Sequence, residues 1–205
     1  MFAILCFGAS ITYGRGDVAD KGWTGRLEDD FSAKDYYNAV YNLGIPGNTS
    51  SDLLKRFDVE SSARIKKVRE GDRFVILIDI GTNDSRLIGE EKEEQTTLEQ
   101  YKDNIKTLYE KAKTHTDEVF LFAATPVDES RTLPYEGNHY SNSRIQQFNS
   151  VMRDIAGGDF LDLYAAVDGP DWNDMLDDGL HPSGEGYEKM FLVIKKFLIE
   201  KKVLG

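Results

Sequence analysis

The apolar positions of the chain fall into five short runs, separated by stretches where apolar residues recur at helical spacing. The runs cover residues 2–7, 37–43, 74–80, 119–124 and 160–163. Most are nearly continuous, the pattern of strands covered on both faces. The last is short and carries Asp162. Between the runs, Trp23, Leu27 and Phe31 mark a short helix, and Leu53, Leu54 and Phe57 mark another behind the cap candidates Ser50 and Ser51. Leu98, Tyr101, Ile105, Leu108, Tyr109 and Ala112 form a stripe with Thr97 placed to cap it. Ile145, Phe148, Val151, Met152 and Ile155 form the next stripe. The last holds Tyr187, Met190, Phe191, Ile194, Phe197 and Leu198, with Ser183 at the cap position.

Alternation of strand and helix predicts an α/β fold, a parallel sheet with helices on both faces and right-handed crossovers. Open sheets of this kind bind ligands beyond the carboxyl ends of their strands. Four short motifs bear on that edge. Gly8-Ala9-Ser10-Ile11-Thr12-Tyr13-Gly14, Asn42-Leu43-Gly44-Ile45-Pro46-Gly47 and Gly81-Thr82-Asn83-Asp84 each follow a strand candidate, and Asp178-Gly179-Leu180-His181-Pro182 precedes the last helix.

Together the motifs supply a hydroxyl at Ser10, a backbone N–H at Gly44, an amide at Asn83, a carboxylate at Asp178 and an imidazole at His181. A carboxylate three residues before a histidine reaches Nδ1 within one turn, which leaves Nε2 free to face a nucleophile. These are the parts required for acyl transfer through a serine: nucleophile, base, orienting acid and donors for a developing oxyanion. Taken singly, each residue also reads as an ordinary turn former or helix cap. Their occurrence in one order along the chain carries the inference.

Other chemistries lack their signatures. No Gly-Lys-Ser/Thr phosphate loop follows the first motif, there is no Gly-x-Gly-x-x-Gly, and Thr12 breaks the Gly-x-Ser-x-Gly elbow. The acidic cluster Asp168, Asp171, Asp174, Asp177 and Asp178 does not match a calcium loop, and no Cys/His set has zinc spacing. The expectation is an enzyme without metal or other cofactor. The long polar stretch 128–140 is placed to border the site, and Tyr13, Leu87, His139 and Trp172 are the residues expected to touch substrate.

Composition narrows the partners. With 205 residues the chain fits a single domain, 1–205, with a sizeable core. Its 36 acidic and 25 basic residues give a formal charge of −11, which repels nucleic acid and anionic membrane surfaces. Cys6 is the only cysteine, so no internal disulfide forms, and it reads as a small buried hydrophobe. No apolar run is long enough to span a bilayer and no signal peptide is visible at the start, so a cytoplasmic protein is expected. A small-molecule ester is the expected partner, and nothing in the pattern marks a surface for self-association.

The motifs and their order resemble the SGNH hydrolase superfamily, also called GDSL lipases and esterases, over nearly the whole chain. The Ser, Gly, Asn and His of its four blocks match Ser10, Gly44, Asn83 and His181, and Thr125-Pro126-Val127-Asp128-Glu129 is similar to its esterase members. The first block commonly reads Gly-Asp-Ser, and here Ala9 stands in place of the aspartate. The resemblance implies a three-layer α/β/α, flavodoxin-like fold with five parallel strands. It also implies a Ser10–His181–Asp178 triad and an oxyanion hole built from Ser10, Gly44 and Asn83. The expected activity is hydrolysis of short-chain esters, with carbohydrate O-deacetylation or non-catalytic ligand binding as the other readings.

Overall fold

The computed structural model describes residues 1–66 and 69–205. Strand β1 (Phe2–Gly8) runs straight into the one-turn helix α1 (Ser10–Tyr13), followed by α2 (Gly22–Ser32) and β2 (Asn38–Gly44). Next come α3 (Ser50–Arg64), β3 (Arg73–Asp79) and two two-residue strands, β4 (Leu87–Ile88) and β5 (Glu93–Glu94). Helix α4 (Leu98–His115) leads to β6 (Val119–Phe122), the short α5 (Glu129–Thr132) and β7 (Asn138–His139). The chain closes with α6 (Asn142–Ala156), β8 (Phe160–Leu161), α7 (Leu163–Val167) and α8 (Gly184–Glu200).

Strands β2-β1-β3-β6-β8, in that order, form one five-stranded parallel sheet. This is the three-layer arrangement expected from the chain pattern. The side-chain period of two divides the core into two layers. Ala3, Leu5 and Phe7 of β1 pack with Leu53, Phe57, Tyr101, Ile105, Phe148 and Met152, from α3, α4 and α6. Ile4 and Cys6 face the other way, toward Trp23, Leu27, Val167, Ile194 and Leu198 from α2, α7 and α8. No helix among the described residues is long and apolar enough to cross a membrane.

Several boundaries differ from the sequence reading for identifiable reasons. The last strand stops at Leu161 because Asp162 turns away from the sheet and accepts from the Ala165 N–H, capping α7. Helix α3 is capped by Thr49 instead of Ser50 or Ser51, through a capping box with Asp52. A second, antiparallel sheet, β5-β4-β7, pairs Leu87 with His139 and Ile88 with Asn138. Strands of two residues leave no alternation to read.

The register brings the first three motifs side by side. Gly8 ends β1 level with Gly44 of β2 on one side and Asp79 of β3 on the other. Helix α1 is pressed onto these strand ends. A Cβ at Gly8 would lie 1.9 Å from Thr12 Oγ1 and 2.3 Å from the Asp79 carbonyl oxygen, and one at Gly44 would lie 2.3 Å from the Tyr13 nitrogen. Glycine is required at both positions because no side chain fits beneath the helix.

Asp79 is buried beneath α1, where Thr12 Oγ1 donates to its Oδ2 at 2.9 Å. Burial, only partly offset by that hydrogen bond, pushes this carboxyl up to about 6. The folded state therefore holds the Asp79 proton more tightly than the unfolded chain does. Its contribution to stability is present below about pH 4 and is lost as pH rises through about 6. Asp79→Asn is expected to remove that loss, on the order of 3 kcal/mol for a shift of this size. Thermal melts of the two proteins between pH 4 and 7 check this. Wild-type Tm should fall relative to the variant as pH rises, whereas parallel curves would mean that Asp79 is ionised throughout.

Candidate active site

Ser10 is the first residue of α1 and His181 lies just before α8, so two distant parts of the chain must be held together. Arg26 of α2 does much of this. Its guanidinium pairs with Asp17 in the loop after α1, and it also donates to Glu188 of α8 at 2.9 Å and to the Gly184 carbonyl at 3.1 Å. The Tyr187 hydroxyl of α8 donates to the Arg15 carbonyl at 2.8 Å. The loop that follows the serine and the helix that follows the histidine thus share side-chain partners.

The resulting geometry is a continuous hydrogen-bond chain. Ser10 Oγ lies 2.8 Å from His181 Nε2, and His181 Nδ1 lies 2.7 Å from Asp178 Oδ2. A carboxylate can only accept, so Nδ1 carries the proton and Nε2 is the acceptor for the serine hydroxyl. Asp178 Oδ1 accepts from the backbone N–H groups of Leu180 at 2.9 Å and His181 at 2.8 Å. Burial alone would raise the Asp178 carboxyl. The hydrogen bonds from the His181 ring and from the two N–H groups outweigh it and hold the group well below the usual carboxylate range. Asp178 therefore stays ionised beside the imidazole. Ser10 is 8% exposed and His181 4%, so the serine–histidine contact is shielded from water, while the Asp178 side chain stays partly exposed.

Asn83 follows β3 and is also buried. Its Nδ2 donates to the Asn48 carbonyl at 3.0 Å, which uses one of two amide hydrogens. Asp84, beside it in sequence, accepts from the Ser50 N–H at 2.9 Å and from the Ser50 hydroxyl at 2.5 Å, at the amino end of α3. That pair clamps the Asn83 loop to the loop before α3. Arg56 of α3 reaches across the same junction, donating to Asn48 Oδ1 at 2.9 Å and to the Gly8 carbonyl at 3.0 Å.

The structure corrects the backbone donor expected at Gly44. The Gly44 N–H donates to Oδ1 of Asn42 at 3.0 Å, and α1 covers the residue. Gly47, in the turn that follows, is exposed, has a left-handed φ of 83° and open space where a Cβ would lie, and its N–H has no acceptor among the described residues. It adjoins Asn48, the residue Asn83 contacts. The Ser10 N–H is likewise without a partner among the described residues, as befits the first residue of a helix. The signal for Gly47 was present in the second motif, which contains two glycines, but spacing alone does not say which one is covered.

Of the expected substrate contacts, Tyr13 stands exposed on α1, and Leu87 and His139 are partners across β4 and β7. Trp172 is a correction. It is 1% exposed within the core, and its Nε1 donates to the Pro126 carbonyl at 2.9 Å, so it has no face to offer a ligand. Two residues of the polar stretch were not foreseen. The Tyr135 hydroxyl donates to Asp178 Oδ2 at 2.8 Å, and the buried Tyr140 places its hydroxyl 3.5 Å from Asn83 Oδ1. Only their location in a loop next to the site hinted at them.

Comparison with known proteins gives the family and the fold. The model of the GDSL-like Lipase/Acylhydrolase family matches residues 6–189. The isoamyl acetate-hydrolyzing esterase 1 homolog of Homo sapiens is 30% identical, over 98% of this chain and 82% of that protein. Among solved structures, the lipase/acylhydrolase from Enterococcus faecalis superposes with a TM-score of 0.77 at 24% identity, covering 98% of this chain and 97% of that one. Axe2, an acetylxylan esterase from Geobacillus stearothermophilus, gives 0.71 at 21% identity, covering 97% and 93%. At these identities the two structures speak for the fold.

Proposed function

The chain belongs to the GDSL-like lipase/acylhydrolase family and is a carboxylic ester hydrolase, and from that premise we propose that it cleaves short-chain esters through an acyl-enzyme on Ser10. The observation that carries the reading is the unbroken chain from Ser10 Oγ through His181 to Asp178, at 2.8 and 2.7 Å.

In the proposed sequence, His181 Nε2 takes the hydroxyl proton as Ser10 Oγ attacks the ester carbonyl. The Asp178 carboxylate stabilises the imidazolium and keeps Nδ1–H directed at itself. The tetrahedral oxyanion lies against the N–H groups of Ser10 and Gly47 and the second amide hydrogen of Asn83. Donors fixed in place before the charge develops need no reorganisation during the reaction. His181 then hands its proton to the departing alkoxide oxygen, and the alcohol leaves. Water enters and gives a proton to Nε2 as it attacks the acyl carbon. The acid leaves, and Ser10 recovers its proton.

A small acyl group is supported by the named activity of the human relative, which is hydrolysis of isoamyl acetate. Carbohydrate O-deacetylation drew on the polar loop 128–140 together with Trp172, and the burial of that ring leaves it the loop alone.

Hydrolysis of p-nitrophenyl acetate, butyrate and octanoate, together with an acetylated xylo-oligosaccharide, tests substrate and mechanism at once. Acetate and butyrate should be cleaved well and octanoate poorly, and Ser10→Ala or His181→Ala should leave only residual turnover. Equal activity in wild type and Ser10→Ala would remove Ser10 as nucleophile, and a strong preference for the acetylated sugar would replace the simple-ester reading. Asn83→Ala should lower kcat by roughly a hundred- to a thousandfold, the usual cost of one oxyanion donor. A twofold loss would take Asn83 out of the hole.

A further inference from the structure

We propose that Tyr135 is a positioning residue of the catalytic machinery, a fourth member of the hydrogen-bond chain that acts on His181 through Asp178. The inference rests on the reading of Ser10, His181 and Asp178 given above. Its basis is geometric. The Tyr135 hydroxyl donates to Asp178 Oδ2 at 2.8 Å, the same oxygen that receives His181 Nδ1–H at 2.7 Å. Oδ1 is taken by two backbone N–H groups, so among the described residues Tyr135 is the only side chain other than the imidazole that bonds this carboxylate. The Tyr135 ring lies edge-on to the imidazole with centroids 6.5 Å apart, and similarly to Tyr140 at 6.3 Å.

The backbone fixes this placement. Tyr135 and Asn138 exchange both N–H···O bonds, at 2.7 and 2.9 Å, around Glu136 and Gly137, which both have positive φ. This is a tight hairpin whose second strand is β7. The phenol that reaches Asp178 is therefore built into the same hairpin that pairs His139 with Leu87. A ligand pressing on that wall would bear on the carboxylate that orients the base.

The charged and titratable groups facing Tyr135 are Asp178, Glu136, Arg15 and the rings of His181 and Tyr140. Burial first, and then the hydrogen bond to Asp178, push the phenol up to about 12, with Arg15 opposing. Tyr135 thus remains a protonated donor through neutral pH. By drawing charge from Oδ2 it weakens the hold of the carboxylate on an imidazolium while fixing its direction. Loss of the donor leaves a more basic, less constrained carboxylate.

Tyr135→Phe removes one oxygen and keeps the ring. On p-nitrophenyl acetate, kcat is expected to fall roughly ten- to a hundredfold, the size of one hydrogen bond to a charged group, with KM within about twofold. The acid limb of the kcat/KM–pH profile should move up by roughly half a pH unit. Fluorotyrosine at position 135, a stronger donor, should move that limb the opposite way. The downfield proton resonance of the His181 Nδ1–H hydrogen bond should shift in both variants, and this readout is independent of any ester. An unmoved resonance and limb, or a raised KM with kcat unchanged, would make Tyr135 a mere wall of the pocket and overturn the proposal. If wild type cleaves no ester yet the resonance shifts, the coupling stands and the proposed reaction fails.

Discussion

One 2.8 Å hydrogen bond joins Ser10 to His181 across 171 positions of sequence, and two backbone constraints set its length. On the serine side, α1 lies so close to the ends of β1 and β2 that Gly8 and Gly44 have no room for a side chain. The helix cannot lift or tilt without losing that contact. On the histidine side, Asp178 Oδ1 takes the N–H of His181 itself and of Leu180, so the carboxylate is fixed to the backbone that carries the imidazole. Arg26 then joins the two halves through Asp17, Glu188 and Gly184. A nucleophile and base held within hydrogen-bond distance before substrate arrives lower the entropic part of the barrier.

The same edge of the sheet concentrates polar groups that are costly to bury. Ser10, Asn83, Asp84, His181 and Asp79 are all nearly inaccessible. Four of them are paired: serine with histidine, Asn83 with Asn48, Asp84 with Ser50 and histidine with Asp178. Asp79 accepts from the Thr12 hydroxyl, but burial outweighs the hydrogen bonding at its carboxylate and shifts the group toward the neutral form. The pairing keeps the functional groups in one geometry, and the low exposure strengthens every charge interaction in the site.

The fold was largely legible in the sequence because the strands are covered on both faces. Burial of that kind writes itself as unbroken apolar runs, such as 2–7 and 74–80, and the helices between them carry strong one-sided stripes. The site was legible as a set of residue types in order: Ser10, His181 and Asp178 form one hydrogen-bond chain, and Asn83 follows the neighbouring strand β3. What escaped were facts of distance and cover. Gly44 and Gly47 are equivalent in the motif, and only the overlying α1 and the Asn42 side chain distinguish them. Trp172 sits in a polar, acidic stretch that reads as surface, yet its ring turns inward to bond Pro126. Tyr135 and Tyr140 reach Asp178 and Asn83 through single oxygen atoms from a short hairpin and the residue after it, where no periodicity exists to announce them.

The account turns on Ser10 acting as a nucleophile, and covalent capture tests it most directly. Wild-type enzyme would be treated with an aryl fluorophosphonate, followed in parallel by ester hydrolysis, intact mass and peptide mapping. The account predicts one adduct per chain, located on Ser10, with activity falling in step with its formation. Activity that persists in fully modified protein, or that disappears while Ser10 remains unmodified, would contradict it.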